Sequence, residues 1–200
     1  MPLIITRAGG SASAFGGLGA SVAPPVAPND YESIMTAIVS TPTPTISFTA
    51  IPQTYKHLQI RGIARDARTV NVNTLNMRVG NGGIDSGANY SAHSMDGDGT
   101  TALGNGTSSY TQMSFMILPG ANATANAFGC YVFDILDYTS TNKNKTVRGI
   151  GGADVNGSGN AHVTSGAYLA NTAITDIQFF TNGNFNFVQY SSFALYGIKG

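Results

Sequence analysis

Charge is what this sequence has least of. Asp, Glu, Lys and Arg make up 10% of its 200 residues, against about 25% in an ordinary soluble domain. Glu32 is the only glutamate, and Lys56, Lys143, Lys145 and Lys199 are the only lysines. Surface helices are built from Glu, Lys, Arg and Gln, so this inventory argues against a helical protein. Net charge is zero, which leaves no cationic footprint for nucleic acid. Arg61, Arg65 and Arg68 come nearest to a basic cluster, and Arg61 and Arg65 are expected on one solvated strand face. Tryptophan is absent. The single cysteine, Cys130, excludes an intrachain disulfide and a multi-cysteine zinc site. In the run Phe128-Gly-Cys-Tyr-Val-Phe133 it reads as a buried small hydrophobe. No apolar run approaches the roughly 18 residues of a bilayer span, so no membrane insertion is expected. No basic, then apolar, then small-residue leader is visible, which sets the expectation of synthesis in a cytoplasm.

What fills the gap is Gly, Ser, Thr, Asn and Ala around short apolar runs. From Tyr31 onward the chain alternates with period two and shows hardly any 3.6-residue period. Strands are expected at 31–39, 45–50, 58–65, 74–79, 90–95, 111–118, 128–136, 146–151, 162–169, 174–180 and 191–198. Leu75, Met77 and Val79 should share one face, as should Met113, Phe115 and Ile117. Phe193 and Leu195 alternate with Ala194 and Tyr196, which suits a central strand. Asn-Gly pairs at 81–82, 105–106, 156–157 and 182–183 mark turns, because both residues tolerate positive φ. Residues 81–89 and 97–109 read as long Gly-, Asn- and Thr-rich loops. Strands at this spacing without helices between them predict an all-β, antiparallel β-sandwich, jelly-roll-like in kind.

Residues 1–30 differ in character. Leu3-Ile4-Ile5 precedes a stretch of small residues and glycines, then Pro24, Pro25 and Pro28. Such a segment buries too little surface to order itself, and its prolines oppose strand pairing. It is expected to be an irregular assembly arm, with Leu3, Ile4, Ile5, Phe15 and Leu18 as its docking side chains. The β-domain then runs from 31 to 200.

Chemistry is hard to find. Asp134 and Asp137 could supply a glycosidase pair, but their spacing puts them on opposite strand faces. Asp96-Gly-Asp98-Gly is a carboxylate-rich turn and the only weak candidate for Ca²⁺. It lacks the EF-hand pattern, since Thr107 stands where the bidentate Glu belongs. His57, His93 and His162 have no near partners in sequence, and neither a nucleophile elbow nor a phosphate loop is present. No enzyme activity, metal or cofactor is expected.

Several stretches carry a resemblance. They are Tyr55-Lys-His-Leu-Gln-Ile-Arg61, Asn89-Tyr-Ser-Ala-His93 with Gly97-Asp-Gly99, and the 119–129 segment Pro-Gly-Ala-Asn-Ala-Thr-Ala-Asn-Ala-Phe-Gly. Asp134-Ile-Leu-Asp-Tyr138, the 141–148 segment Thr-Asn-Lys-Asn-Lys-Thr-Val-Arg and the ending 187–199 follow in order. Over about residues 31–200 these resemble a family of tailed-phage virion proteins, especially of aquatic and cyanobacterial phages, usually labelled tail-fibre or minor structural proteins. The segment 4–16 is similar to short pieces of other phage tail proteins. The resemblance implies a bacteriophage structural protein of the virion, forming a homotrimer with other phage structural proteins as partners. A tail-fibre or appendage subunit that touches host-surface glycan is the first expectation. A capsid decoration (cement) protein clamping capsomers is the second. A carbohydrate-binding module is the third, and it would need an exposed aromatic platform from Tyr90, Tyr110, Tyr138 and Tyr168.

Overall fold

A computed structural model describes residues 30–200, so the arm side chains Leu3, Ile4, Ile5, Phe15 and Leu18 lie outside the described residues. Twelve strands are present among the described residues, and no helix. In chain order they are β1 (Tyr31–Ile38), β2 (Thr45–Phe48), β3 (His57–Ala64), β4 (Val72–Gly80), β5 (Tyr90–Gly97) and β6 (Ala102–Tyr110). The rest are β7 (Met113–Pro119), β8 (Gly129–Ile135), β9 (Lys145–Asp154), β10 (Gly159–Tyr168), β11 (Asp176–Thr181) and β12 (Ser192–Ile198). They form an eight-stranded sheet in the order β1-β12-β3-β8-β9-β10-β5-β6 and a four-stranded sheet in the order β2-β11-β4-β7. Every pairing is antiparallel. The expected antiparallel sandwich is the fold; its eight-plus-four division differs from the eight strands of a jelly roll.

Side-chain alternation builds the core as anticipated along several strands. Leu75, Met77 and Val79 of β4 are fully buried. From the facing sheet come Leu58 and Ile60 of β3, Phe133 and Ile135 of β8, and Phe193 and Leu195 of β12. Phe179 of β11 ties the sheets together, stacking on Phe193 at 4.5 Å between centroids and meeting Phe133 at 5.3 Å. Such aromatic pairs add about 0.5–1.5 kcal/mol beyond simple burial.

Four local expectations are corrected. Most of the 97–109 segment, read as loop, lies in β6 (Ala102–Tyr110), and Asn105-Gly106 lies inside that strand. Composition hid the strand because β6 carries Gly, Asn, Thr and Ser with almost no apolar face to reveal a period. Second, the alternation over 113–117 is broken. Between β4 and β7 the register slips, Leu75 facing Met116 and Asn76 facing Ser114. An extra residue of this kind reverses the parity of a strand, so Met113, Met116 and Leu118 are buried while Ile117 is only half-buried. Third, Cys130 is exposed, because Tyr131 and Phe133 take the inward positions of β8.

Fourth, Arg65 is not on a solvated face. It is buried just past β3, and its guanidinium donates to the carbonyls of Ala121 (3.2 Å), Ala123 (3.0 Å), Thr124 (2.6 Å) and Ala127 (3.1 Å). One planar fork thereby satisfies the backbone of the β7–β8 loop. The Asn-Gly turn at 156–157 is as expected: Asn156 and Gly157 both have positive φ (59° and 97°) in the β9–β10 hairpin, the primed turn that such a hairpin favours.

Candidate functional site

The eight-stranded sheet exchanges the polarity of its faces partway across. Its β12-β3-β8 part is conventional, apolar inside and polar outside. On the outside, Tyr31 stacks on Tyr196 at 4.9 Å, with the Arg61 guanidinium 5.5 and 5.6 Å from the two rings. Gln59 Oε1 accepts from Tyr31 Oη (2.7 Å) and Arg61 Nε (3.0 Å), and Gln59 Nε2 donates to Asp134 Oδ1 (2.9 Å). Asp134 Oδ2 accepts from Arg148 of β9 (2.7 Å). The polar groups on this side are bonded to one another.

Beyond β8 the rule reverses at the end of the sheet that carries the β9–β10 hairpin and the β5–β6 turn. One rung runs Met95–Val163–Ile150–Val132 across β5, β10, β9 and β8, and it faces outward. Met95, Ile150 and Val163 are 65%, 58% and 50% exposed. Leu103, Leu136 and Ile63 are exposed as well, and Cys130 lies in the next rung opposite Gly152 and Ile63. A groove of about 490 Å³ follows this face past His93, Met95, Leu136 and Val163.

The inward face of the same strands is polar. Asp96 of β5 lies opposite His162 of β10, and Ser94 lies opposite Thr164. On β6, Leu103, Asn105 and Thr107 lie opposite Asp96, Ser94 and Ala92. With Thr74, Ser114 and Met116 from the other sheet they line a cavity of about 370 Å³. Asp96 accepts from Asn160 Nδ2 (3.2 Å) and Asn105 Nδ2 (3.4 Å). His162 is 7% exposed, and neither ring nitrogen has a protein partner. Burial pushes its imidazole below the ordinary histidine range, against the opposing pull of Asp96. Seven buried side-chain polar atoms among the described residues lack a hydrogen-bond partner, and one of these, Asp137 Oδ1, is ion-paired to Lys56. Five of them belong to Thr107, Asn160, His162 and Thr164, so the shortage is concentrated at this one end.

The expected residues fare unequally. Tyr90, Tyr138 and Tyr168 are buried, which removes them from any surface platform. Tyr90 stacks on Tyr168 at 5.2 Å, and its Oη lies 2.8 Å from Val79 O and 2.7 Å from Asp85 O. Tyr168 Oη donates to Asp85 Oδ2 (3.0 Å), and Tyr138 Oη donates to Pro52 O. Each is an amphipathic ring buried with its hydroxyl satisfied, a role that strand position alone does not reveal. Tyr110 is exposed, and the residue opposite it on β5 is the buried Tyr90.

Asp96 and Asp98 do not converge. Asp98 Oδ1 accepts from the backbone N–H of Thr100 (2.8 Å) and Thr101 (2.7 Å), closing the β5–β6 turn and holding its carboxyl below the usual range. Asp96 faces the cavity instead. Among the described residues no group of three or more His, Cys, Asp or Glu could hold a metal ion.

Asp134 and Asp137 are held by different cations. Lys143 and Lys56 (3.1 Å for Lys56) keep the Asp137 carboxyl down at about 2. The residues that sequence reasoning missed are His162, Ser94, Asn105 and Thr107. Polar side chains at alternating positions 94 and 96, and 162 and 164, were the available signal, but alternation does not say which face is inside.

No family model, curated protein or solved structure matches this chain.

Proposed function

We propose that the chain is a self-assembling structural protein, with the tailed-phage virion as its setting and a tail-fibre or appendage subunit as its role. The setting rests on the sequence resemblance of residues 31–200. The assembly reading is carried by one observation, the exposed apolar rung Met95–Val163–Ile150 beside the bare edge of β6. Contiguous apolar surface on a β-protein of low charge favours association. β6 adds an edge for it: nine residues without a charge or a proline, exposed on both faces but for Thr107, with its one register irregularity confined to the end between Thr107 and Tyr110. The occupant we assign to this face is a second copy of the chain. A chain with only 10% charged residues lets two copies approach without desolvating many ions. Closed cyclic assembly is the usual outcome, and the resemblance favours a trimer.

Light scattering on the full-length chain tests this. An oligomer is expected, and Ile150→Lys with Val163→Lys should shift it toward monomer. A monodisperse monomer for the unsubstituted chain, with particle components present as well as absent, would overturn the assembly reading. Locating the protein in an image of the particle separates an appendage from a capsid decoration role.

A further inference from the structure

We infer that the cavity between β5, β6, β10 and β7, apolar with several convergent polar groups, is a binding site for a neutral, polyhydroxylated ligand of monosaccharide size. The cavity lies on the opposite side of β5 and β10 from the exposed apolar rung and shares only β6 with the proposed assembly edge: Met95 and Val163 point outward, while Asp96 and His162 point into the sandwich. Failure of either reading therefore leaves the other standing.

The chemistry of the lining selects the ligand. It contains no lysine or arginine, so nothing there neutralises a phosphate, sulfate or carboxylate. Its one carboxylate, Asp96, already accepts from two asparagine amides, so part of its hydrogen-bonding capacity is used within the protein, and a single carboxylate is a poor ligand set for a metal ion. The remaining polar groups are neutral and work in both directions: the hydroxyls of Thr74, Ser94, Thr107 and Ser114, the Asn105 amide and the His162 imidazole. A neutral imidazole offers one donor and one acceptor, and each hydroxyl can do either. Vicinal hydroxyl groups on a sugar ring have the same dual character.

Two further observations point to an occupant. His162 lines the cavity, is more than nine-tenths buried and has no protein partner for either nitrogen; such groups carry a desolvation cost until something bonds to them. The volume, about 370 Å³, falls within the about 300–1,000 Å³ typical of small-molecule sites. An entrance exists as well. Leu103, Asn105 and Gly106 on β6 are exposed, whereas Asp96, His162 and Met116 at the back are buried, so the cavity opens beneath the outermost strand.

Saturation-transfer NMR on the full-length protein, with the methyl glycosides of glucose, galactose, mannose and N-acetylglucosamine as probes, decides the matter. Transfer to at least one glycoside is expected, with a dissociation constant in the millimolar range. Thr107→Val, which keeps the side-chain shape, and His162→Phe should each weaken it about tenfold, the effect of one lost buried hydrogen bond. Retained β-sheet circular dichroism shows that the variants are folded, and Thr107→Val serves if His162→Phe is not. No transfer with any glycoside, or transfer that neither folded variant weakens, would overturn the proposal. Perturbation of the His162 ring resonances by Zn²⁺ alone, with no glycoside effect, would overturn it in favour of a cation site.

Discussion

Within a single sheet, β12, β3 and β8 turn Phe193, Leu195, Ile60 and Phe133 inward, and on their outer side Gln59, Arg61 and Asp134 bond with Tyr31 of β1. Two strands further on, β10 and β5 turn His162, Thr164, Ser94 and Asp96 inward, and Val163 and Met95 outward. Both regions share one continuous hydrogen-bonded ladder, so backbone pairing does not account for the difference. It lies in what each face meets. The four-stranded sheet offers Phe179 and Met77 to the first region, and Thr74, Ser114 and Met116 to the second. An outward apolar rung of this kind marks a candidate interaction surface. The first region holds the molecule together, and the second is the one with surfaces left to use.

Substitutions can break this comparison. Phe193→Ala, in the first region, should cost about 3–5 kcal/mol of unfolding free energy, measured by denaturant titration. A loss below about 1 kcal/mol would place the core elsewhere. Arg65→Ala should cost about 3 kcal/mol, since four loop carbonyls lose their donor, with hydrogen exchange rising first over 120–128. Uniform exchange along the chain would count against a local clamp.

A smaller effect should follow pH. The folded protein keeps the His162 imidazole below its ordinary value of 6.5, while Asp96 pulls it up. The unfolded chain therefore binds a proton more readily, and stability should fall as pH drops below about 6.5. Thermal melts should show this slope, and His162→Gln should flatten it. At lower pH, protonation of Asp137, held down at about 2, removes a further contribution that is present above the unfolded aspartate range. The smallest effect is expected from Ile150→Lys, within about 0.5 kcal/mol of the unsubstituted monomer, although it should weaken self-association. Loss of monomer stability there would mean that the outer face is structural.

Much of the fold was legible in the residues. Leu75, Met77 and Val79 announced β4, and Asn156-Gly157 announced a hairpin. The cavity was not legible, for reasons particular to its residues. Leu103 to Tyr110 lacks the apolar alternation by which strands are read. Ser94 and Asp96, with His162 and Thr164, look like the wet face of ordinary strands, so a reader would turn them outward. Tyr90, Tyr138 and Tyr168 read in sequence as surface groups as readily as core ones, because a hydroxyl tip and an apolar ring suit either environment. Arg65 looked solvated because the carbonyls that receive it lie more than fifty residues away.

By itself the sequence determined the class. Low charge, period-two alternation and Asn-Gly turns are local properties, and they lead to antiparallel strands whatever the neighbours do. Only the tertiary structure decided which side of each strand is inside. That choice depends on the extra residue between Ser114 and Met116, on where the narrower four-stranded sheet ends, and on which strands extend past it. The physical reason is that alternation defines two faces but does not label them; the label comes from what packs against each.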